Sequence, residues 1–167
     1  MADRLAQGTM GKFRFAQTEA TTPELNLHDL AGQVRTLSSW RGKTVLLNLW
    51  ASWCEPCRQE LPSLQALQGR LPGPDFAIVT VSIDHKVEEA RLFLQGASTT
   101  GLTVLLDPTL STLKALGAEG VPTSILIDPQ GRETGRLSGS ADWSSDEAVV
   151  LIEATMLSGG SPACAGK

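Results

Sequence analysis

Cys54 and Cys57 stand three positions apart, with Glu55 and Pro56 between them. Two thiols at this spacing in the first turn of a helix share a face, about one turn apart. They are close enough to form a disulfide without large backbone movement. The preceding run Thr44–Ala51 (TVLLNLWA) is almost wholly apolar, the mark of a strand buried on both faces. The following residues carry Leu61, Leu64, Leu67 and Leu71 at helical spacing. The pair therefore falls where a strand meets a helix N-terminus, and free N–H groups and the helix dipole favour an anion there. Such sites lower a thiol pKa from about 8.5 to roughly 3.5–7.5, and the thiolate is the reactive form. Cys54 reads as a nucleophile for thiol–disulfide exchange, and Cys57 as the thiol that resolves a mixed disulfide. A structural or metal-binding pair is the plainer alternative, and the placement between strand and helix favours the redox reading.

The rest of the chain must hold this turn in place. Its 167 residues suit one domain, and 41% hydrophobic residues can close one core. Eighteen acidic residues outnumber fourteen Lys and Arg, and no basic stripe is present, which argues against a nucleic-acid partner. Three cysteines are too few for a disulfide-stapled scaffold. His28 and His85 are remote from the pair and lack ligand spacing, so no metal site is expected. Met1–Pro23 has no continuous apolar run and reads as neither signal peptide nor anchor. Either the protein works in the cytosol, or a targeting segment lies outside this sequence.

Glu24–Leu37 reads as a hairpin around Ala31-Gly32, and Phe76–Ile83 as a second buried strand. Helices are expected over 55–71, 87–95, 110–116 and 146–157, with Pro62 bending the first. Short strands are expected at 102–106, 124–127 and 132–137, the last two joined by the turn Asp128-Pro129-Gln130-Gly131. This order predicts an α/β fold, a mixed central sheet with helices on both faces.

The segment from Asn48 to Pro62 (NLWASWCEPCRQELP) resembles the active-site segment of thioredoxin-like proteins, and is most similar to the exported, often membrane-anchored branch that includes TlpA and ResA. The resemblance spans about residues 24–157, through Val121-Pro122-Thr123, the Asp128–Gly131 turn and Ala141-Asp142-Trp143. Pro122 lies 65 positions after Cys57, a longer path than in plain thioredoxins. The helix and strand at 87–106 fill that path as the central βα insertion of this branch, and the N-terminal β-hairpin is another of its features. The implied organisation is a flexible N-terminal segment over 1–23, a thioredoxin-like domain over 24–157 and a flexible tail over 158–167.

The resemblance also implies roles around the pair. Pro122 matches the family's cis-proline, beside which the Val121 backbone would pair with an extended substrate segment. An ordinary trans proline is the alternative. Glu60, three positions after Cys57, shares its helix face. The matching acid of this branch is proposed to assist thiol chemistry, by a raised pKa that lets it exchange a proton with Cys57. Otherwise Glu60 is a solvated glutamate near a helix N-terminus. Glu55 adds negative charge beside Cys54 and Pro56 offers it no N–H, which together favour a reductant over an oxidant. Trp53 reads as an apolar docking surface and Trp50 as packing. Lys43 and Arg58 read as solvated charges. Cys164, in the Gly-rich tail, is either a free thiol or an intermolecular crosslink.

The expected activity is a thiol–disulfide oxidoreductase that reduces disulfides of exported proteins, in cytochrome c maturation or in copper-site assembly of the respiratory oxidases. By resemblance it is periplasmic and monomeric, needs no cofactor, and is re-reduced by a membrane electron donor of the DsbD/CcdA kind. It would be anchored or exported by a segment absent from this chain. A peroxiredoxin-like peroxidase is the competing enzyme, although Ser52 and the second cysteine depart from its pattern. A Sco-type copper chaperone would need a placed histidine that neither His28 nor His85 supplies.

Overall fold

The structure, a computed structural model, describes residues 4–159. Cys164 and the tail beyond Gly159 lie outside the described residues.

The run TVLLNLW forms β4 (Thr44–Trp50), and every one of its seven residues is buried. It pairs in parallel with β5 (Phe76–Ser82) and antiparallel with β7 (Thr123–Ile127), at the centre of an eight-stranded sheet. Alternation along β4 sends its side chains to two separate cores. Leu46 packs with Leu61, Leu64 and Leu67 of α1 (Glu55–Arg70) and with Ala148, Leu151 and Ile152 of α4 (Asp146–Gly159). Val45, Leu47 and Leu49 pack on the opposite face with Leu116 of α3 (Ser111–Leu116). The mixed sheet with helices on both faces is therefore the one expected. Helix α1 runs unbroken through Pro62.

The central insertion is α2 (Val87–Gln95) followed by β6 (Thr103–Leu106). β6 adds in parallel to β5, and the hairpin β2 (Leu27–Asp29) and β3 (Val34–Arg35) joins antiparallel to β6. The hairpin thus reaches the sheet only through the insertion. On the far side, β8 (Glu133–Ser138) pairs with β7, and β1 (Arg14–Phe15) with β8. The strand order is β1-β8-β7-β4-β5-β6-β2-β3.

Residues from Gly8 onward correct the expectation of a loose segment over 1–23. Met10 and Phe13 are fully buried in the core beneath α1 and α4. The chain then follows the β8 edge, where Ala16 donates to the Thr134 carbonyl at 2.9 Å and Thr22 to that of Gly131 at 2.8 Å. Gly135 makes the Phe13 contact possible, since a Cβ there would lie 2.4 Å from the ring. The apolar residues of this stretch are too few and too irregular to show a period, and their burial depends on β8, more than a hundred positions away. If the stretch is part of the core, Phe13→Ala lowers the unfolding free energy by about 3 kcal/mol. Denaturant titration checks this, and a loose tail would change it by less than about 0.5 kcal/mol.

Candidate active site

Strand β4 ends at Trp50, and three residues turn the chain into α1. Cys54 is the helix N-cap, in an extended conformation, and its Sγ accepts the Cys57 backbone N–H at 3.3 Å. The two cysteines form a disulfide, with a Cα–Cα distance of 5.3 Å. The spacing, the helix start and Pro56 in the first turn are those expected. Pro56 lacks an N–H where the helix has no acceptor for one, so it stabilises the start at no cost in hydrogen bonds.

The loop before β7 passes over the pair. The Val121–Pro122 peptide is cis, and the Val121 carbonyl oxygen lies 3.8 Å from Cys54 Sγ. The oxidised sulfur has no proton to give that oxygen, whereas a Cys54 thiol does. The Pro122 carbonyl accepts the Gly139 N–H at 2.8 Å, which ties this loop to the end of β8. Both cysteines and Pro122 are buried, while Trp53, at 65% exposure, and Glu55 and Pro56 form the open rim. The sequence-predicted residues thus come together in one place. Behind them Trp50, buried as expected, packs against Phe93 of the insertion helix α2, with ring centroids 5.4 Å apart.

One electrostatic expectation needs adjustment. The Glu55 carboxylate is paired with the Arg58 guanidinium at 2.8 Å, both half-exposed. The pair is worth less than about 1 kcal/mol to stability. It places a cation beside the Glu55 charge, so Glu55 opposes a Cys54 thiolate less than its charge alone suggests.

Glu60 is buried, at 3% exposure. Its Oε1 accepts from Asn48 Nδ2 at 2.9 Å, and its Oε2 from the Ala141 N–H at 2.8 Å and Trp143 Nε1 at 3.1 Å. Asn48 also donates to Ser124 Oγ at 2.9 Å. Burial pushes the Glu60 carboxyl up to about 7, and the three hydrogen bonds offset part of that rise. This carboxyl can therefore hold or release a proton near neutral pH, one helical turn past Cys57.

Asn48 and Ser124 were not among the expected site residues. A single polar residue inside the apolar run of β4 is a signal for Asn48, and nothing comparable marks Ser124 or the Ala141 backbone. Trp143 carries part of the resemblance, but its hydrogen bond to Glu60 has no sequence signature. Among the described residues no cluster of His, Cys, Asp and Glu could hold a metal ion.

The raised Glu60 pKa makes stability depend on pH in a definite sense. The folded state binds the proton more tightly than the unfolded chain, whose carboxyl titrates near 4.5. This stabilisation is complete below the unfolded value and is lost as pH rises through about 7. Glu60→Gln loses hydrogen bonds at every pH but removes this dependence. Unfolding titrations of both proteins at pH 4.5 and pH 8 should show wild type losing roughly 3 kcal/mol more than the variant over that range. Parallel losses would refute the assignment.

The sequence pattern of the AhpC/TSA family matches residues 18–132. The thiol–disulfide oxidoreductase ResA of Geobacillus thermodenitrificans is 32% identical over 123 residues, 72% of this chain and 69% of that protein. The thioredoxin-like protein YneN of Bacillus subtilis is 34% identical, over 65% of this chain and 64% of its own length. A solved structure from Chlorobium tepidum, assigned as the thiol:disulfide interchange protein DsbE, superposes with a TM-score of 0.77 at 32% identity, over 84% of this chain and 98% of that one. The disulfide at the head of α1 and the cis peptide above it stand within a sequence pattern and a fold that these proteins share. The chain belongs to the AhpC/TSA family and is a thioredoxin-fold thiol–disulfide oxidoreductase.

Proposed function

We propose that the protein reduces disulfides in exported proteins, in cytochrome c maturation or in copper-site assembly of the respiratory oxidases. The observation that carries this reading is the sparse support for a thiolate at Cys54. Cys57 donates the one backbone N–H that its sulfur accepts, Pro56 has none, and Arg58 is engaged by Glu55. A poorly stabilised reduced form makes a strong reductant. The similarity to the thiol–disulfide oxidoreductase ResA supports the exchange chemistry itself.

In this reaction the Cys54 thiolate attacks one sulfur of the substrate disulfide. A mixed disulfide forms and the other substrate sulfur leaves as a thiolate. The Cys57 thiol gives its proton to the Glu60 carboxylate and attacks Cys54 Sγ. The Cys54–Cys57 disulfide closes as the second substrate sulfur leaves as a thiolate, and the Glu60 proton with one from solvent makes the substrate a dithiol. Trp53, Glu55 and Pro56 offer the docking rim, and the Val121 backbone beside Pro122 pairs with an extended substrate segment. The protein works as a monomer in the periplasm. A membrane thiol–disulfide carrier of the DsbD/CcdA kind returns its electrons. Among the described residues no helix is long and apolar enough to cross a membrane.

Equilibration with glutathione gives the potential of the couple. A value well below that of strong oxidants, about −120 mV, is expected, and a value near it would overturn the reductase reading. Cys57→Ser should accumulate mixed disulfides with disulfide-bonded peptides, since nothing then resolves them. Rapid turnover of hydrogen peroxide would replace this reading with the peroxidase one. In the reduced protein, Glu60→Gln should change the pH profile of cysteine alkylation, and an unchanged profile would remove Glu60 from the proton path.

A further inference from the structure

A second buried carboxylate lies close to the pair. Asp84 stands two positions past the end of β5 and is 2% exposed. Its Oδ1 accepts the Ser52 hydroxyl at 2.6 Å, and its Oδ2 the Ser52 N–H at 2.9 Å. Oδ2 also accepts the Ser82 hydroxyl at 2.6 Å, and the Asp84 N–H donates to Ser82 Oγ at 3.1 Å. Among the described residues no Lys, Arg or His nitrogen forms an ion pair with it. A buried charge answered only by neutral donors is costly, and an amide would serve a purely structural clasp as well.

Ser52 is the residue from which the chain turns into Trp53 and Cys54. Two peptide units keep the Cα atoms of Ser52 and Cys54 within about 7.5 Å of each other. The other charges around the turn are engaged elsewhere. Glu55 and Arg58 pair with each other at 2.8 Å, Glu60 is held by Asn48, Ala141 and Trp143, and His85 Nδ1 lies 3.2 Å from the Pro108 carbonyl oxygen.

We propose that Asp84 is a positioning residue that also tunes the couple: its carboxylate clamps Ser52 and, by its charge, holds Cys54 and Cys57 toward the disulfide. A negative charge disfavours the Cys54 thiolate and hence the reduced form, so the pair gives up electrons more readily. This deepens, and rests on, the reductase reading.

The test is equilibration with glutathione. Two glutathione thiols lose two electrons and two protons to the Cys54–Cys57 disulfide, whose S–S bond breaks as that of oxidised glutathione forms. Asp84→Asn keeps the shape and one acceptor for Ser52 but removes the charge. It should raise the equilibrium constant for reduction of the protein about tenfold, or about 30 mV. Ser52→Ala weakens the clamp but keeps the charge, and should not raise the constant. A rise under threefold in folded Asp84→Asn overturns the proposal, as does an equal rise in Ser52→Ala, which would assign the effect to lost geometry. Should Asp84→Asn not fold, Asp84→Ser is judged by the same threshold. The wild-type potential tests the reductase reading by itself, so the two failures are distinguishable.

Discussion

The Glu60 carboxylate is a charge in a closed space, and the elements around it are arranged to answer it. Asn48 reaches it from β4, and Trp143 and the Ala141 backbone from the turn between β8 and α4. Ser63 extends the same bond network, donating to the Glu60 carbonyl at 2.7 Å and accepting the Trp143 N–H at 3.1 Å. Helix α1 is thus fixed in rotation and height against the sheet by polar contacts as well as by its leucines. A leucine stripe alone would tolerate sliding. Directional bonds to a buried acceptor do not, because a lost partner leaves a desolvated charge. The first turn of α1, with both cysteines, takes its place from that anchoring.

Two carboxylates flank the redox pair in different ways. Glu60 lies past Cys57, and burial holds its affinity for a proton near neutrality. Asp84 lies before Cys54 and is met by two hydroxyls and an amide. The two buried acidic groups thus bracket the short segment that carries both cysteines, one bonded to Ser52 and the other borne on α1 at Glu60. The apolar wall behind them, Trp50 with Phe93, comes partly from α2, so the insertion contributes to the site as well as to the sheet.

Much of this was legible in the sequence for physical reasons. TVLLNLW reads as a buried strand because two-sided burial leaves no polar alternation, and the cysteines read as chemistry because they follow it at a helix start. Leu61, Leu64 and Leu67 announce the packed face of α1. What stayed hidden depends on distant partners. Trp143 meets Glu60 across 83 positions, and no local spacing encodes such a bond. Ser52 and Asp84 are 32 positions apart and become neighbours only through the register of β4 with β5. Met10 and Phe13 look like stray apolar residues until β8 supplies the surface that they cover.

Both borders of the sheet are made from the first part of the chain, β1 on one side and the β2–β3 hairpin on the other. β1 waits for β8 near residue 136, and β2 for β6 near residue 106. During synthesis each flank therefore waits for an inner strand made much later, the hairpin for β6 and β1 for β8. Such long-range closure slows folding and leaves open strand edges in the meantime. Once closed, the same arrangement gives the finished sheet short outer strands, which are poor templates for pairing with another molecule.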